Sequence, residues 1–220
     1  MKLQLVMIYI IRLNFLILLF FSLNLKAQKS LTQKDWFESG EKFLKKKNYE
    51  FATSQFYMAE KYGSDTIIKK VARKKIDSIL PIAQKKIINE LKGDWRLKEL
   101  NYDPYPGKFT ERIRITDNEI VFYKLDSNNT EVKLRKEQIR FLPYDSLKYD
   151  FSARRFIFEN SEVWTFWVSK KKRIKKLYPN IYRDSDGNRK YLLDESGFDI
   201  DKKARKKAIE KETYTFYVKK

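Results

Sequence analysis

Apolar residues follow two different periods along this chain, and the change between them falls near residue 92. Up to Leu91 they recur every three to four positions, which is the spacing of one face of an α-helix. From Trp95 onward they alternate with polar residues, which is typical of half-buried β-strands. The pattern therefore predicts an α+β fold, with a helical region over residues 28–91 and an antiparallel β-barrel or β-sandwich over residues 92–220.

The helical region divides into a hairpin and a third helix. Thr32 or Asp35 is the candidate cap of a first helix, whose apolar stripe consists of Trp36, Phe37, Gly40, Phe43 and Leu44. Asn48 marks the turn, and the second helix ends near Gly63, a residue type suited to helix termination. The stripe of this second helix consists of Tyr49, Ala52, Phe56 and Ala59. Apolar residues between Ile68 and Leu91 predict a third helix that Pro81 interrupts or kinks.

The hairpin resembles a tetratricopeptide repeat, whose pattern places aromatic and small residues at set offsets. The matching positions are Trp36, Gly40, Phe43, Tyr49, Ala52, Phe56 and Ala59. The resemblance implies two helices that approach closely at the small residues while the aromatic residues fill the remaining space. Repeat arrays need about three units to bury a continuous core. We therefore expect a single repeat to pack against the β region, with a partner-binding surface as the alternative.

Residues 92–220 contain many short alternating runs separated by turn signals such as Pro106-Gly107, Asp117-Asn118 and Ser127-Asn128-Asn129. The runs are Trp95/Leu97, Ile113/Ile115, Val121/Tyr123/Leu125, Val132/Leu134, Ile139/Phe141, Leu147/Tyr149/Phe151, Phe156/Phe158, Trp164/Phe166/Val168 and Tyr214/Phe216/Val218. A late helix is predicted over residues 199–212, just before the last strand. Such a series of short strands favours an antiparallel barrel or sandwich.

The β region opens with Gly93-Asp94-Trp95 directly after a helical segment. This opening resembles the G-x-W start of lipocalins and of smaller bacterial lipocalin-like domains. The resemblance implies a barrel whose floor is closed by Trp95, with a basic side chain from Arg183, Arg189 or Lys219 packed across it. Such a barrel either encloses a small ligand or is filled by its own side chains. The candidate ligand-lining or barrel-core residues are Trp95, Phe158, Trp164, Phe166 and Phe216.

The segment from Glu162 to Val168 is apolar on both faces of its predicted strand, because Val163 and Trp167 oppose Trp164 and Phe166. We therefore expect its outer face to pack under a helix, either the hairpin or the late one. Further along, a basic run from Lys170 to Arg173 follows these aromatic residues. Aromatic side chains next to basic ones can stack on bases or sugars, and export would favour sugars or lipid headgroups.

Acidic residues at Asp184 and Asp186 suggest a calcium loop at first sight. In the register of an EF-hand, however, the first and last ligand positions would be Tyr182 and Leu193, which cannot bind calcium. Asp186-Gly187 is better interpreted as a hairpin turn between two short apolar runs. The sequence therefore predicts no metal site.

Residues 1–27 have the features of a secretory signal peptide. Lys2 provides a basic start, an apolar run extends from Leu13 to Leu25, and Leu25-Lys26-Ala27 provides a small-residue exit. The chain is therefore expected to be exported to the periplasm or the medium, with an uncleaved N-terminal membrane anchor as the alternative. Because the chain contains no Cys, neither a lipid anchor on Cys nor a disulfide can form.

The absence of His as well as Cys removes most catalytic chemistries. No Ser-His or Cys-His nucleophile and no zinc or haem site with His or Cys ligands can be built. Acid–base chemistry by carboxylates remains, but no Asp or Glu pair stands out. We therefore expect a protein that is not an enzyme, with no catalytic residue and no cofactor, and keep a carboxylate-dependent hydrolase as a weak alternative.

The chain is strongly basic, with 48 Lys and Arg against 29 Asp and Glu. Without residues 1–27 the ratio is 45 to 29, a net charge of +16. Such a charge favours anionic partners, either lipid or glycan, whereas export disfavours nucleic acid. The leading hypothesis is an exported binding or scaffold protein of the cell envelope, whose β region binds a small apolar ligand or a protein partner. A cationic protein that adheres to anionic lipid or glycan surfaces is the alternative.

Overall fold

A computed structural model describes residues 31–100, 107–144, 152–171, 174–188 and 215–219. Three helices come first: α1 (Gln33–Lys45), α2 (Tyr49–Lys61) and α3 (Thr66–Leu91). An eight-stranded antiparallel sheet follows, which confirms the α+β prediction. Of the helices described, none combines the length and the apolar character needed to cross a bilayer. The predicted signal peptide, the late helix and the strand around Tyr149 lie outside the described residues.

The helices begin and end at the signals that the sequence contains. Thr32 caps α1, because its hydroxyl accepts from the backbone N–H of Asp35 and the Asp35 carboxylate accepts from the N–H of Thr32. Asn48 caps α2 by a single bond, because its side-chain oxygen accepts from the backbone N–H of Phe51. α2 ends at Lys61, two residues before Gly63, whose φ of +118° is a left-handed conformation that glycine adopts without strain.

α1 and α2 pack through the contact between Gly40 and Phe56. A Cβ atom at Gly40 would lie only 2.7 Å from the Phe56 ring, so that only glycine leaves room for the ring. Phe37 meets the same ring edge-on, with a centroid distance of 5.3 Å. Phe56 is fully buried as a result, together with Ala52 and Ala59 on the same face of α2.

α3 continues through Pro81 for 26 residues, so the helix is not interrupted there. Pro81 cannot donate the backbone hydrogen bond of its turn. The helix persists because its apolar face is buried on both sides of the proline, at Ala72, Ile76, Ile79, Ala83, Ile87, Ile88 and Leu91. α3 then leads into the sheet within two residues, and the Trp95 indole N–H donates to the Leu91 carbonyl at 2.7 Å.

The strands are β1 (Gly93–Glu99), β2 (Arg112–Ile115), β3 (Glu119–Leu125), β4 (Glu131–Gln138), β5 (Arg155–Ile157), β6 (Val163–Lys171), β7 (Ile174–Arg183) and β8 (Phe216–Lys219). Their order in the sheet is β4-β3-β2-β1-β8-β7-β6-β5. No ladder joins the two edge strands within the described residues. The segment just after β4 nevertheless reaches β5, since Phe141 pairs with Phe156 and Leu142 N donates to Arg155 O at 2.8 Å.

Strand β7 is an element that the alternation analysis missed. Its sequence contains Lys175, Lys176 and Pro179, which are poor strand signals. Pro179 is tolerated because β8 pairs with β7 only at Lys176 and Leu177, and therefore requires no N–H from position 179. The turn after β7 is built by Asp184, whose carboxylate accepts from the backbone N–H groups of Asp186 and Asn188.

One apolar cluster runs through the helices and the sheet, from Phe56 on α2 and Leu91 on α3 to Trp95 and Trp164 on the strands. An ionic contact strengthens the junction. Arg154, just before β5, lies 2.7 Å from the Glu50 carboxylate of α2 and 2.8 Å from the Glu90 carboxylate of α3. The guanidinium of Arg154 is largely buried, so this contact holds both helices against the same end of the sheet.

Candidate functional site

The space enclosed by the sheet is filled by aromatic side chains. Trp164 is the centre of this packing, with ring centroids at 5.5 to 5.9 Å from those of Phe109, Phe122, Phe158 and Phe166. Trp95, Phe158, Trp164 and Phe166, four of the candidate ligand-lining or core residues, are all buried. They belong to the same core cluster as Phe122 on β3. Their side chains therefore fill the space that a ligand inside the sheet would need.

Phe216, the fifth candidate, lies on the opposite face of the sheet. Its ring is 6.0 Å from that of Tyr178 and is covered by the Lys176 ammonium at 3.6 Å. The neighbouring Tyr217 occupies the interior instead, where its hydroxyl donates to the carbonyl of Thr110 at 2.7 Å. Two adjacent aromatic residues leave the inward position ambiguous when alternation alone is used.

Lys219 is the basic residue that packs across Trp95, with its ammonium 5.6 Å from the ring centroid and 2.7 Å from the Lys92 carbonyl. Gly93 makes this path available, because a Cβ there would lie 2.5 Å from Lys219 Cε. Gly93 also has a φ of +140°, a conformation that other residues rarely adopt. Arg189, another of the basic candidates, lies outside the described residues.

A cluster of charged side chains is buried beside the aromatic interior. Glu162, only 1% exposed, accepts hydrogen bonds from Lys108 at 2.6 Å on one oxygen and from Arg135 and the Trp164 indole on the other. Arg135 also donates to Glu137 at 2.6 Å, and its guanidinium lies 4.8 Å from the Phe158 ring centroid. The charges of this cluster therefore compensate one another, as buried charges must.

The pKa of Glu162 reflects this arrangement. Burial is the largest influence and opposes ionisation, but hydrogen bonds from Lys108 and Trp164 and the charge of Arg135 outweigh it. They hold the pKa of Glu162 at about 2. The carboxylate is therefore ionised at neutral pH, and both of its oxygens are engaged within the protein.

A concave site lies on the other side of the sheet, between α2 and the outer face of β5, β6 and β7. It is a cleft of about 330 Å³, which we call the α2–sheet cleft. Its lining comprises Glu50, Phe51, Ser54, Ser152, Arg155, Thr165, Trp167, Asn180 and Tyr182. The α2 residues form one wall, and alternate residues of the strands form the floor, since outward side chains recur every second position.

Aromatic and polar groups alternate within the α2–sheet cleft. Trp167 is 46% exposed and Phe51 is 49% exposed, and both rings line the same concave site. The Arg154 guanidinium lies 4.8 Å from the Trp167 ring centroid, and that of Arg155 lies 3.7 Å from the Tyr182 ring centroid. The rings are thus held by neighbouring guanidinium groups, while part of their surface faces water. Thr165 pairs in register with Asn180 on the floor.

A basic hairpin extends the cleft on one side. The sequence from Val163 to Arg183 contains no acidic residue and seven basic ones, of which Lys175, Lys176 and Arg183 lie on β7. Trp167 pairs in register with Tyr178, two pairs away from the pair of Ser169 and Lys176. On the cleft face of β7, Asn180 and Tyr178 are therefore followed by Lys176.

The described residues contain no group of three or more acidic side chains placed to hold a metal ion. The Asp184 carboxylate, which the calcium hypothesis would require as a ligand, instead caps its own turn. The α2–sheet cleft contains one carboxylate, that of Glu50, and Arg154 pairs with it.

Sequence reasoning located only part of this cleft. The sequence predicts Trp167 on the outer face of its strand. α2 lies beside this face, but Trp167 stays 46% exposed, so the helix does not cover it. Glu50, Phe51, Ser54 and Arg155 were not identified. Phe51 lies outside the predicted apolar stripe of its helix, and in the structure its ring stacks on that of Phe43 with a centroid distance of 5.4 Å while half of its surface stays exposed. The seven positions of the tetratricopeptide-like pattern lie in the helix packing and not in this cleft.

No family model, curated protein or solved structure matches the chain. The resemblances to tetratricopeptide repeats and lipocalins therefore rest on the residues quoted for them. What is shown is a helical part followed by an antiparallel β part.

Proposed function

We propose that this chain is a non-enzymatic, exported binding protein of the cell envelope that holds its ligand in the α2–sheet cleft. The observation that carries the proposal is the pair of half-exposed aromatic side chains, Phe51 and Trp167, on two rigid elements around a concave site. Such exposure loses the stabilisation that burial would give, at about 25 cal/mol per Å² of apolar surface. A ligand that covers the two rings recovers this free energy on binding.

The interior of the sheet is a poorer candidate for the ligand. An apolar ligand would have to displace Trp164 and Phe166 from contacts with other rings, and interiors packed at this density tolerate such changes badly. A ligand enters the cleft without such repacking. The expected small apolar ligand therefore becomes, in this proposal, an amphipathic one that has an apolar face for the rings and polar groups for Thr165 and Asn180.

Two features support a non-enzymatic role over a carboxylate-dependent hydrolase. Glu162 has the strongest pKa shift among the acidic residues described, but it is ionised, buried and hydrogen-bonded through both oxygens. It therefore lacks the proton that a general acid must donate and the free oxygen that a base or nucleophile must offer. Glu50 is already paired with Arg154 in the cleft.

We also propose that the helical part is a tetratricopeptide-like hairpin and that the β part is lipocalin-like. Support for the first is the fit of the Phe56 ring over Gly40. Support for the second is the contact of Lys219 with the ring of Trp95, together with the position of Trp95 directly after a helix. Export remains an expectation from residues 1–27. A cell-fractionation experiment with a C-terminal epitope tag, read by mass of the mature chain, tests it.

Binding of 1-anilinonaphthalene-8-sulfonate, a fluorescent probe of accessible apolar sites, tests the cleft. We expect the combined Phe51→Ala and Trp167→Ala variant to lose most of the fluorescence that the wild type gives. Leu134→Ala is the matched control, because Leu134 is 54% exposed on β4, away from the cleft lining. This control should bind as the wild type does. Equal probe binding by all three proteins would contradict the assignment of the ligand site.

A further inference from the structure

We propose that the solvent-facing side of α3 binds the surface of anionic lipid bilayers through lysine and aliphatic side chains that act together. This side, which we call the α3 outer face, is formed by exposed residues: Ile67, Lys70, Val71, Lys74, Ile82 and Lys85. It shares no residue with the α2–sheet cleft. The inference therefore goes beyond the proposed ligand site and does not depend on it.

Helical spacing places these residues together. At roughly 100° per residue, all six lie within an arc of about 120° on the helix surface. Ala72, Ile76 and Ala83 lie on the opposite side and are buried. The distance from Ile67 to Lys85 is roughly 27 Å along the helix axis, at about 1.5 Å per residue. The α3 outer face is thus a long, nearly straight strip, a shape that suits a broad surface.

Three aliphatic side chains on this strip stay in water. Ile67 is 74% exposed, Ile82 is 47% exposed and Val71 is 38% exposed. Exposed aliphatic surface on a helix that also carries lysines is typical of helices that lie in the interface of a bilayer. The hydrocarbon layer would cover these side chains without any repacking of the helix.

The charge of the same strip is positive and uncompensated. Among the described residues, Lys70, Lys74 and Lys85 form no ion pair, and the α3 outer face contains no acidic residue. Basic residues at the flanks of α3 differ, because Arg73 lies 3.2 Å from the Glu60 carboxylate and Lys75 lies 2.9 Å from that of Glu41. The strip therefore favours an anionic partner. A second copy of the chain would bring the same lysines against one another.

The types of side chain favour a lipid surface over other anionic partners. Protein interfaces are enriched in aromatic residues and Arg and depleted of Lys, whereas this strip has Lys and neither of the others. Single-stranded nucleic acid requires aromatic rings on which its bases stack. A soluble acidic polymer offers no hydrocarbon to Ile67 or Ile82. In a bilayer, the lysine stems lie along the apolar layer and their ammonium groups reach the headgroups.

A concave site of about 500 Å³ lies beside the start of the α3 outer face, between the end of α2 and α3. Lys70 belongs both to its lining and to the outer face. Four of the lining residues are basic, and the one acidic residue, Glu60, is held by Arg73. The site is therefore positive overall and has room for the phosphate group of a lipid whose chains lie below Ile67.

The test measures co-sedimentation of the exported protein with phosphatidylcholine vesicles that contain or lack phosphatidylglycerol. We expect binding only when phosphatidylglycerol is present, and weaker binding as salt rises. The double variant Lys74→Gln and Lys85→Gln should weaken binding roughly tenfold or more, since each basic side chain near such a surface contributes about fivefold. The control Lys124→Gln and Lys133→Gln removes equal charge from exposed positions of the sheet and should bind as the wild type does.

A second pair of variants tests the apolar part. Ile67→Gln with Ile82→Gln should weaken vesicle binding roughly threefold or more, because less apolar surface is removed from water. Val132→Gln with Leu134→Gln changes two exposed aliphatic residues of β4 instead and should have no effect. Equal weakening by both lysine variants would show non-specific attraction to a basic protein. Unchanged binding of the Ile67 and Ile82 variant would show that the helix does not reach hydrocarbon. Either result would overturn the proposal.

The absence of Cys from the chain allows a direct readout on protein with its lysines intact. Ile67→Cys and Leu134→Cys each provide one attachment point for a fluorophore that brightens in an apolar environment. We expect brightening on phosphatidylglycerol vesicles at position 67 and none at position 134. Brightening at position 134 alone, or at neither position, would contradict the orientation of α3 on the bilayer. Tighter, Lys74-dependent binding of heparin or oligothymidylate would replace the bilayer by another class of partner.

Discussion

Strand β6 presents two faces that differ in packing and in charge. On the inner face, Trp164 and Phe166 are fully buried among other rings, and the nearby carboxylate of Glu162 is hydrogen-bonded on both oxygens. On the outer face, Trp167 is half exposed, and the Lys176 ammonium lies over the Phe216 ring on the same face. The comparison teaches that one strand can contribute stability from one face and a binding surface from the other.

The largest expected effect is on the inner face, at Phe166. Phe166→Ala removes a ring whose centroid is 5.7 Å from that of Phe156 and 5.9 Å from that of Trp164. We expect the free energy of unfolding to fall by about 3–5 kcal/mol, because the cavity left behind cannot close completely. Urea denaturation followed by circular dichroism measures it. A loss below about 1 kcal/mol would mean that the interior is loosely packed.

The next effect concerns pH. Glu162 has a pKa lowered to about 2 from its ordinary value of 4.5, so the unfolded chain binds a proton more readily than the folded one. The stabilisation is therefore complete above pH 4.5 and is lost as pH falls towards 2. At 1.36 kcal/mol per pKa unit it amounts to about 3 kcal/mol.

Glu162→Gln tests this assignment, because the variant cannot titrate at that position. It should be less stable than the wild type at pH 7, since Lys108 and Arg135 lose their anionic partner. The stability difference between the two proteins should shrink as pH falls from 4.5 to 2. A difference that stays constant across this range would assign the acid sensitivity to other carboxylates.

The third effect concerns Arg154, which joins the helices to the sheet. Arg154→Met retains apolar length but removes the contacts with Glu50 and Glu90. We expect a loss of about 1–3 kcal/mol in unfolding free energy, below the value for a fully buried pair because both carboxylates can rehydrate. Lys136→Gln, which breaks the exposed pair with Glu119, is the control and should cost less than Arg154→Met. Probe binding in the cleft should weaken only in Arg154→Met.

The sequence predicts the helical part and the fold class well because local signals and burial agree there. Thr32, Asn48 and Gly63 are end signals that act within one turn, and the Gly40 position follows from helical spacing. In the sheet, the alternation of apolar and polar residues identifies most strands, but it does not always identify which face of a strand is buried. β4 reverses the usual rule: Val132 and Leu134 are 45% and 54% exposed, whereas Glu137 on the other face is buried.

The reversal in β4 has a tertiary cause. Arg135 and Glu137 are accepted inside because Glu162 and the ring of Phe158 lie opposite them, on strands and turns distant in sequence. No local pattern contains this information. The cleft is unpredictable for a similar reason, since Phe51 and Trp167 are 116 positions apart in the chain. They line one cleft because the contact of Arg154 with Glu50 holds α2 beside the sheet.

The smallest effect on stability is expected at Trp167, the residue that follows Phe166 in the sequence. Trp167→Ala removes a ring that already exposes 46% of its surface, so we expect the free energy of unfolding to change by less than about 1 kcal/mol. Binding in the cleft should nevertheless fall, because the exposed part of the ring is the part available to a ligand. Urea denaturation and probe titration on the same preparation measure the two quantities. A loss of stability as large as that of Phe166→Ala would mean that Trp167 belongs to the core, and the distinction between the two faces of β6 would then disappear.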